Sequence, residues 1–151
     1  MQNYSLLDEV GMADKPAMLK RGLSATYEDL LLAAEYVMAW GNKQMILCER
    51  GIRTFESFTR NTPDLNAIPA IHKVSNLPIV ADPSHGTGRW YLVTPMPMGS
   101  AAADADGLII EVHPNPDEAR SDGAQSLTFK NFSTLMSQVR AIRESLTSNP
   151  V

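Results

Sequence analysis

Leu77-Pro78-Ile79-Val80-Ala81-Asp82-Pro83-Ser84-His85-Gly86-Thr87-Gly88 is the stretch on which the architecture turns. Pro78–Ala81 is a strand-length apolar run without polar alternation, the pattern of a strand buried on both faces. Small and polar residues follow it at once. Three other runs have the same form: Pro16–Leu19, Met45–Cys48 and Leu108–Val112. They recur about every 30 residues, the size of one βα unit, and helical patterns lie between them. Thr26 with Asp29 makes a capping-box-like start, and Leu30, Ala33, Ala34, Val37 and Met38 then share one helical face. Gly41 stands where a left-handed C-terminal cap belongs. The next helix follows Pro69, a residue suited to a first turn, with Ala70, Ile71 and Val74 on its apolar side. A third helix, between Arg89 and Ala103, is the weakest, because interior prolines at 95 and 97 would remove backbone bonds and clash with the preceding turn. The last helix starts at Thr128 and carries an apolar stripe of Phe132, Leu135, Met136, Val139 and Ile142. A first helix over Tyr4–Val10 completes an alternating α/β order, with residues 1–151 forming one domain and Pro150-Val151 a loose tail.

Composition sets the outer bounds. The 151 residues carry 13 Lys+Arg and 17 Asp+Glu, a net charge of −4, and are 44% hydrophobic. With no basic block, the chain lacks the cationic footprint of a nucleic-acid binder. One cysteine excludes an intrachain disulfide and any cysteine-rich zinc module. No apolar run is long enough to span a bilayer. The N-terminal Met1-Gln2-Asn3-Tyr4-Ser5 lacks the order of a signal peptide, so the expected compartment is the cytoplasm.

Chemistry-bearing residues gather after the strands. The first run leads into Lys20-Arg21-Gly22, the second into Glu49-Arg50-Gly51, the third into Asp82 through Gly88, and the fourth carries Glu111 and His113. In parallel βα architectures the C-terminal strand ends share one face, where ligand sites form. Lys20, Arg50, His85 and Glu111 are therefore expected to converge. Singly, each has a plain reading: Lys20 and Arg50 as solvated loop cations, His85 as a hydrogen-bonded loop histidine, Asp122 before Gly123 as a turn residue. Glu111 after two isoleucines is harder to set aside, since a carboxylate in an apolar strand is costly to bury unpaired. Cys48 reads as a small core residue, Asp106 as serving the turn into the fourth strand, and Met96 and Met98 as gap-fillers. As a set, a histidine with carboxylates suits Mn²⁺, Fe²⁺, Co²⁺ or Zn²⁺. Lys20 and Arg50 beside them suit a phosphorylated substrate.

Several segments in order carry a resemblance to a known family. They are Leu19-Lys20-Arg21-Gly22, Ile46-Leu47-Cys48-Glu49-Arg50-Gly51-Ile52-Arg53-Thr54-Phe55, Asp82-Pro83-Ser84-His85, Ile110-Glu111-Val112-His113-Pro114 and Ser121-Asp122-Gly123-Ala124-Gln125-Ser126-Leu127. The chain resembles the 3-deoxy-7-phosphoheptulonate synthases over nearly its whole length, in particular the subgroup linked to chorismate mutase. The resemblance implies the first step of the shikimate pathway to aromatic amino acids, a metal-dependent aldol-like condensation of phosphoenolpyruvate with erythrose 4-phosphate. It implies that His85, Glu111 and Asp122 bind the divalent metal and that Lys20 and Arg50 bind phosphoenolpyruvate, with Lys20 and His85 as the catalytic pair. Asp122 rests mainly on the resemblance. The sister family, 3-deoxy-octulosonate 8-phosphate synthase, shares fold and chemistry, but the Glu49–Phe55 and Ser121–Leu127 runs look like the heptulonate branch.

The family fold is a TIM (β/α)8 barrel, which takes about 250 residues. The four βα units here match its C-terminal half, strands five to eight. The family's metal-binding cysteine, its Lys-Pro-Arg-Thr segment for erythrose 4-phosphate and an upstream arginine for phosphoenolpyruvate have no counterpart in these 151 residues. Cys48 is not that cysteine, because it lies inside a different strand. Two expectations follow: an enzyme half that works with an N-terminal half-barrel, or an inactive truncated fragment. Pairing of two copies is a further route, since an open half-barrel exposes strand edges and an apolar face. Locally, Pro97 and Gly99 are expected to weaken their helix by roughly 3 and 1 kcal/mol if interior, and Asp104 stands where the family commonly has glycine.

Overall fold

A computed structural model describes residues 1–148; the expected loose tail at Pro150-Val151 lies outside them. The sheet has four strands in chain order, β1 (Ala17–Lys20), β2 (Met45–Glu49), β3 (Ile79–Ala81) and β4 (Gly107–Leu108). Each neighbouring pair is parallel. The register sets Leu19 beside Leu47 and Leu47 beside Ile79, so one face of the sheet is a continuous apolar surface. Helices α1 (Tyr4–Met12), α2 (Tyr27–Ala39) and α3 (Ala67–Val74) belong to that side of the core. Leu30, Val37, Ile68 and Ile71 close on Leu47 and Ile79 there, all essentially inaccessible to water. Burying each such side chain contributes about 1.5–3 kcal/mol. The opposite face is more open: Met18 is 43% exposed, while its register partner Ile46 is half-buried.

Local chemistry explains the helix ends. Thr26 and Asp29 form the expected capping box on α2, each accepting from the other's backbone N–H. Gly41 follows the helix with φ +114°, a left-handed cap position. α3 starts at Ala67, two residues before Pro69, so the proline lies in the first turn, where no intrahelical donor is required.

The weak third helix is two short helices, α5 (Trp90–Val93) and α6 (Pro95–Ala102), broken at Thr94. Pro95 takes the first position of α6 and Pro97 still lies in its first turn, so neither removes an interior bond. Pro97 is instead fully buried. Asp104 has φ +70°, the left-handed conformation that glycine adopts without strain, and its carboxylate pairs with Arg143. The final helix, α7 (Phe129–Ser148), is capped by Thr128, whose hydroxyl accepts from the Asn131 N–H. Leu135 and Val139 of its stripe pack with Val93, Ala101 and Leu127 in a second, smaller core.

Two corrections concern the strand ends. The run Leu108–Val112 pairs as β4 only over its first part, because β3 stops at Ala81 and Asp82-Pro83 turns into a helix. Ile109 still donates to the Ala81 carbonyl, but the chain then peels away and Val112 bridges in parallel to Leu127. The other correction is α4 (Pro83–Thr87), a short helix where a loop was expected.

Gly51 matters for how the segment after β2 folds back. Its φ is +87°, and an added Cβ would lie 2.8 Å from the Asn61 Cβ and 3.1 Å from the Gly86 Cα. Gly41 has a positive φ too, but open space around it. Gly51→Ala is therefore expected to cost roughly 1–3 kcal/mol in urea unfolding, from backbone strain plus collision, and Gly41→Ala less. Equal losses at the two positions would remove the steric contribution assigned to Gly51.

Candidate metal and anion site

The C-terminal strand ends carry the site, and Asp82 is its centre. This residue leaves β3 and caps α4: its Oδ1 accepts from the His85 backbone N–H at 3.1 Å, with Pro83 next in line as first helical residue. The same carboxylate accepts from Lys20 Nζ at 2.8 Å and meets His85 Nδ1 at 2.8 Å. Asp82 is wholly buried while Lys20 keeps 42% of its side chain exposed. Burial alone would push the Asp82 carboxyl up, but Lys20 and the His85 contacts outweigh it and hold it below the ordinary aspartate range.

That contact sets the direction of His85. In the neutral imidazole, Nδ1 against a carboxylate carries the ring proton and leaves the Nε2 lone pair open. Nε2 faces Glu111 Oε1 at 3.9 Å and Asp122 Oδ2 at 3.9 Å, too far for hydrogen bonds. The donor atoms of His85, Glu111 and Asp122 lie within 4.8 Å of one another. One neutral imidazole and two carboxylates around shared space fit a divalent cation of the N/O-preferring kind, and the carboxylate behind the histidine is the usual support for such a ligand.

Each member is placed by a different element. Glu111 lies just past the paired part of β4, its backbone N–H donating to the buried Ser84 hydroxyl at 2.9 Å. Its side chain is 39% exposed, so the burial cost expected for it does not arise. Asp122 has φ +56° at the head of a short 3-10 turn (Gly123–Gln125), and Arg60 holds its other oxygen at 3.0 Å. Lys20 joins the group through Asp82. Arg50 directly follows β2; its Nε is buried without a partner among the described residues. A guanidinium held with an unfilled donor is suited to an anion. Cys48 is fully buried, and burial with the nearby Asp82 pushes its thiol up to about 12, as expected of a core residue rather than a thiolate ligand.

Sequence reasoning passed over three positions. Asp82 has a local signature, an Asp-Pro at a strand end three residues before a histidine, which reads as an N-cap with Pro at N1. Arg21 is 6% exposed; its Nη1 donates to Glu49 and Asp64, both at 2.9 Å, and its guanidinium stacks on Tyr27. Nothing in the Lys20-Arg21 pair distinguishes the buried cation from the half-exposed one, apart from strand alternation. Arg60 carries no sequence signal at all. Asp106 does serve the turn into β4, accepting from the Ile79 N–H and also pairing with His72.

Parallel strands in chain order define half of an α/β barrel, and the acids, the histidine and the cations gather at the C-terminal strand ends, the face on which such barrels carry their ligand sites. The model of the DAHP synthetase I family matches residues 1–148, and the chain belongs to that family. A phospho-2-dehydro-3-deoxyheptonate aldolase of Thermotoga maritima is 50% identical over 145 residues, covering 96% of this chain and 43% of that protein. The solved truncated form of 3-deoxy-D-arabino-heptulosonate 7-phosphate synthase from the same organism superposes with a TM-score of 0.94, over 96% of this chain and 55% of that one. A 2-dehydro-3-deoxyphosphooctonate aldolase of Francisella tularensis subsp. novicida is 29% identical, over 94% of this chain and 54% of that protein. The chain thus spans about half the length of the relatives it matches. No helix among the described residues is long and apolar enough to cross a membrane.

The depressed Asp82 carboxyl has a testable sign. Its ionised form stabilises the fold above the unfolded aspartate value, about 3.9, and that stabilisation is lost as pH falls through the lower folded value. Asp82→Asn is expected to cost about 1–3 kcal/mol at pH 6. The gap to wild type should shrink as urea titrations are taken down to pH 3. A gap that stays constant or widens in acid would show that the charge of Asp82 is not what stabilises the fold.

Proposed function

We propose that this chain supplies the metal and phosphoenolpyruvate groups of a 3-deoxy-7-phosphoheptulonate synthase, as the C-terminal half of its barrel. In this reading residues 1–151 form one partial barrel domain, with β1 to β4 as strands five to eight. The observation that carries it is the meeting of His85, Glu111 and Asp122 beside Lys20, with Asp82 bonded to both Lys20 and His85. The heptulonate branch is favoured over the octulosonate branch by identities of 50% against 29% with relatives so named.

In the proposed reaction the enol carbon of phosphoenolpyruvate bonds to the aldehyde carbon of erythrose 4-phosphate. The aldehyde oxygen takes the carbonyl electron pair and a proton. Water adds to the cationic C2 left behind and releases a proton, and the C2–O bond to phosphate then breaks, leaving the C2 ketone and inorganic phosphate. Lys20 and Arg50 bring positive charge to the anionic groups of phosphoenolpyruvate and hold it as charge shifts. Asp82 directs the Lys20 ammonium, and in the neutral imidazole it keeps the His85 proton on Nδ1 so that Nε2 presents a lone pair. A divalent ion held by His85, Glu111 and Asp122 would supply Lewis acidity near the aldehyde or orient a water. Mn²⁺, Fe²⁺, Co²⁺ and Zn²⁺ all suit these donors. A cytoplasmic location, association with chorismate mutase, and a homo-oligomer or a separate N-terminal half-barrel belong to the same reading.

Holding two phosphorylated substrates in register is worth roughly 7–11 kcal/mol in favourable cases, and this reading gives the erythrose 4-phosphate groups to the other half-barrel. The chain with Mn²⁺ and both substrates is therefore expected to consume phosphoenolpyruvate far below about 1 s⁻¹, the low end of common enzyme rates. Adding the N-terminal half-barrel of the Thermotoga maritima relative should restore turnover, and His85→Ala should abolish it again. Turnover at that rate by the chain alone would overturn the half-site reading. Failure of the recombined halves to react, with both folded and associated, would overturn the assignment of the reaction.

A further inference from the structure

Asp122 is the least supported member of the acidic cluster. It sits on a loop, in a left-handed conformation; its backbone carbonyl accepts from the Gln125 N–H at 3.3 Å and the Ser126 hydroxyl at 2.9 Å, but its side chain makes no capping bond to the turn it heads. Yet one of its oxygens faces His85. The structure accounts for this through Arg60, in the segment between β2 and α3. Arg60 Nη1 donates to Asp122 Oδ1 at 3.0 Å and to Gln125 Oε1 at 3.0 Å. Gln125 is 2% exposed, so packing holds the second acceptor in place, while its own Nε2 is buried without a partner among the described residues.

Arg60 is itself anchored to the helix that carries His85. Its backbone N–H donates to the Thr87 carbonyl at 3.0 Å. It packs so closely over Gly88 that a Cβ there would come 2.5 Å from the Arg60 Cβ. The neighbouring Asn61 donates from its backbone to Gly86 and from its side chain to the His85 carbonyl. The backbone of residues 60–61 is thus bound to α4, and the guanidinium reaches across to the Asp122 loop. With Oδ1 taken by Arg60, Oδ2 is the oxygen left to face His85 Nε2.

We propose that Arg60 is a positioning residue: it fixes the Asp122 loop relative to α4 and so places Oδ2 beside His85 Nε2. As a device for cation binding this rests on the metal reading given above. The pair is exposed, 48% for Arg60 and 33% for Asp122, so its contribution to overall stability is small and its effect is local. Both bonds leave one nitrogen, Nη1, whose two hydrogens are fixed in the guanidinium plane; a lysine ammonium can donate twice but turns freely on a flexible stem and holds neither direction.

The test uses the whole chain as wild type, Arg60→Ala and Arg60→Lys. Free Mn²⁺ is titrated by electron paramagnetic resonance, and amide exchange at Ser126, whose N–H bonds to the Gly123 carbonyl within the turn, is followed without metal. Arg60→Ala should weaken Mn²⁺ binding roughly 10- to 100-fold, the usual loss when a ligand's support is removed. It should also speed exchange at Ser126 while the urea midpoint stays put, with Arg60→Lys in between on both measures. Unchanged Mn²⁺ affinity in Arg60→Ala, or unchanged exchange at Ser126, overturns the assignment. A wild-type chain that takes up no Mn²⁺ refutes the metal reading instead, and the exchange at Ser126 still decides the role of Arg60.

Discussion

The site depends on one buried carboxylate. Asp82 has no access to water, and an ionised carboxylate in that position is tolerable only if its lone pairs are filled by good donors. They are filled by Lys20 Nζ from β1 and by the backbone and ring of His85 on α4. Meeting that demand has three structural results at once. The N-terminus of α4 is capped, the lysine at the end of β1 is drawn across β2, and the imidazole is turned so that Nε2 looks toward Glu111 and Asp122. Without Asp82 the same residues would remain near the strand ends with no shared orientation.

A second buried charge holds the neighbouring loops. Arg21 is sandwiched by Glu49 and Asp64 and covered by Tyr27. Burial acts against its charge, but the two carboxylates outweigh this and its pKa is raised. Glu49 spends its other oxygen on the Gly51 N–H at 2.7 Å and the Asp64 N–H. The long segment from Arg50 to Asn66 is therefore tied at both ends to one carboxylate, and its middle is bound to α4 through Arg60 and Asn61. Loops that would otherwise be independent are connected to each other, so the side chains on them keep fixed separations.

Sequence reading reached the alternation of strands and helices, the parallel class and the gathering of Lys20, His85 and Glu111. These follow from local patterns: apolar runs, helical periodicity, capping residues, and the rule that parallel strands present their C-terminal ends on one face. It misjudged segments where a single residue type has two outcomes. Pro95 and Pro97 read as helix breakers, but a break at Thr94 moves them into a first turn, where they fit. Leu108–Val112 reads as one strand, but a strand is only as long as its neighbour, and β3 ends at Ala81.

The order of elements, much of the core and the place of Lys20, Arg50, His85 and Glu111 after the strands were determined by the sequence alone, because each is set by spacing along the chain; Asp122 was reached mainly through the family resemblance. Which charges are buried, which nitrogen of His85 is free, and that Arg60 rather than a nearer residue holds Asp122 were decided only by the tertiary structure. Arg60 and Asp122 lie 62 positions apart, Lys20 and Asp82 likewise. No local rule relates residues at such separations; they meet because the sheet register and the packed loops bring them together, and the need to satisfy buried charge then selects the partners.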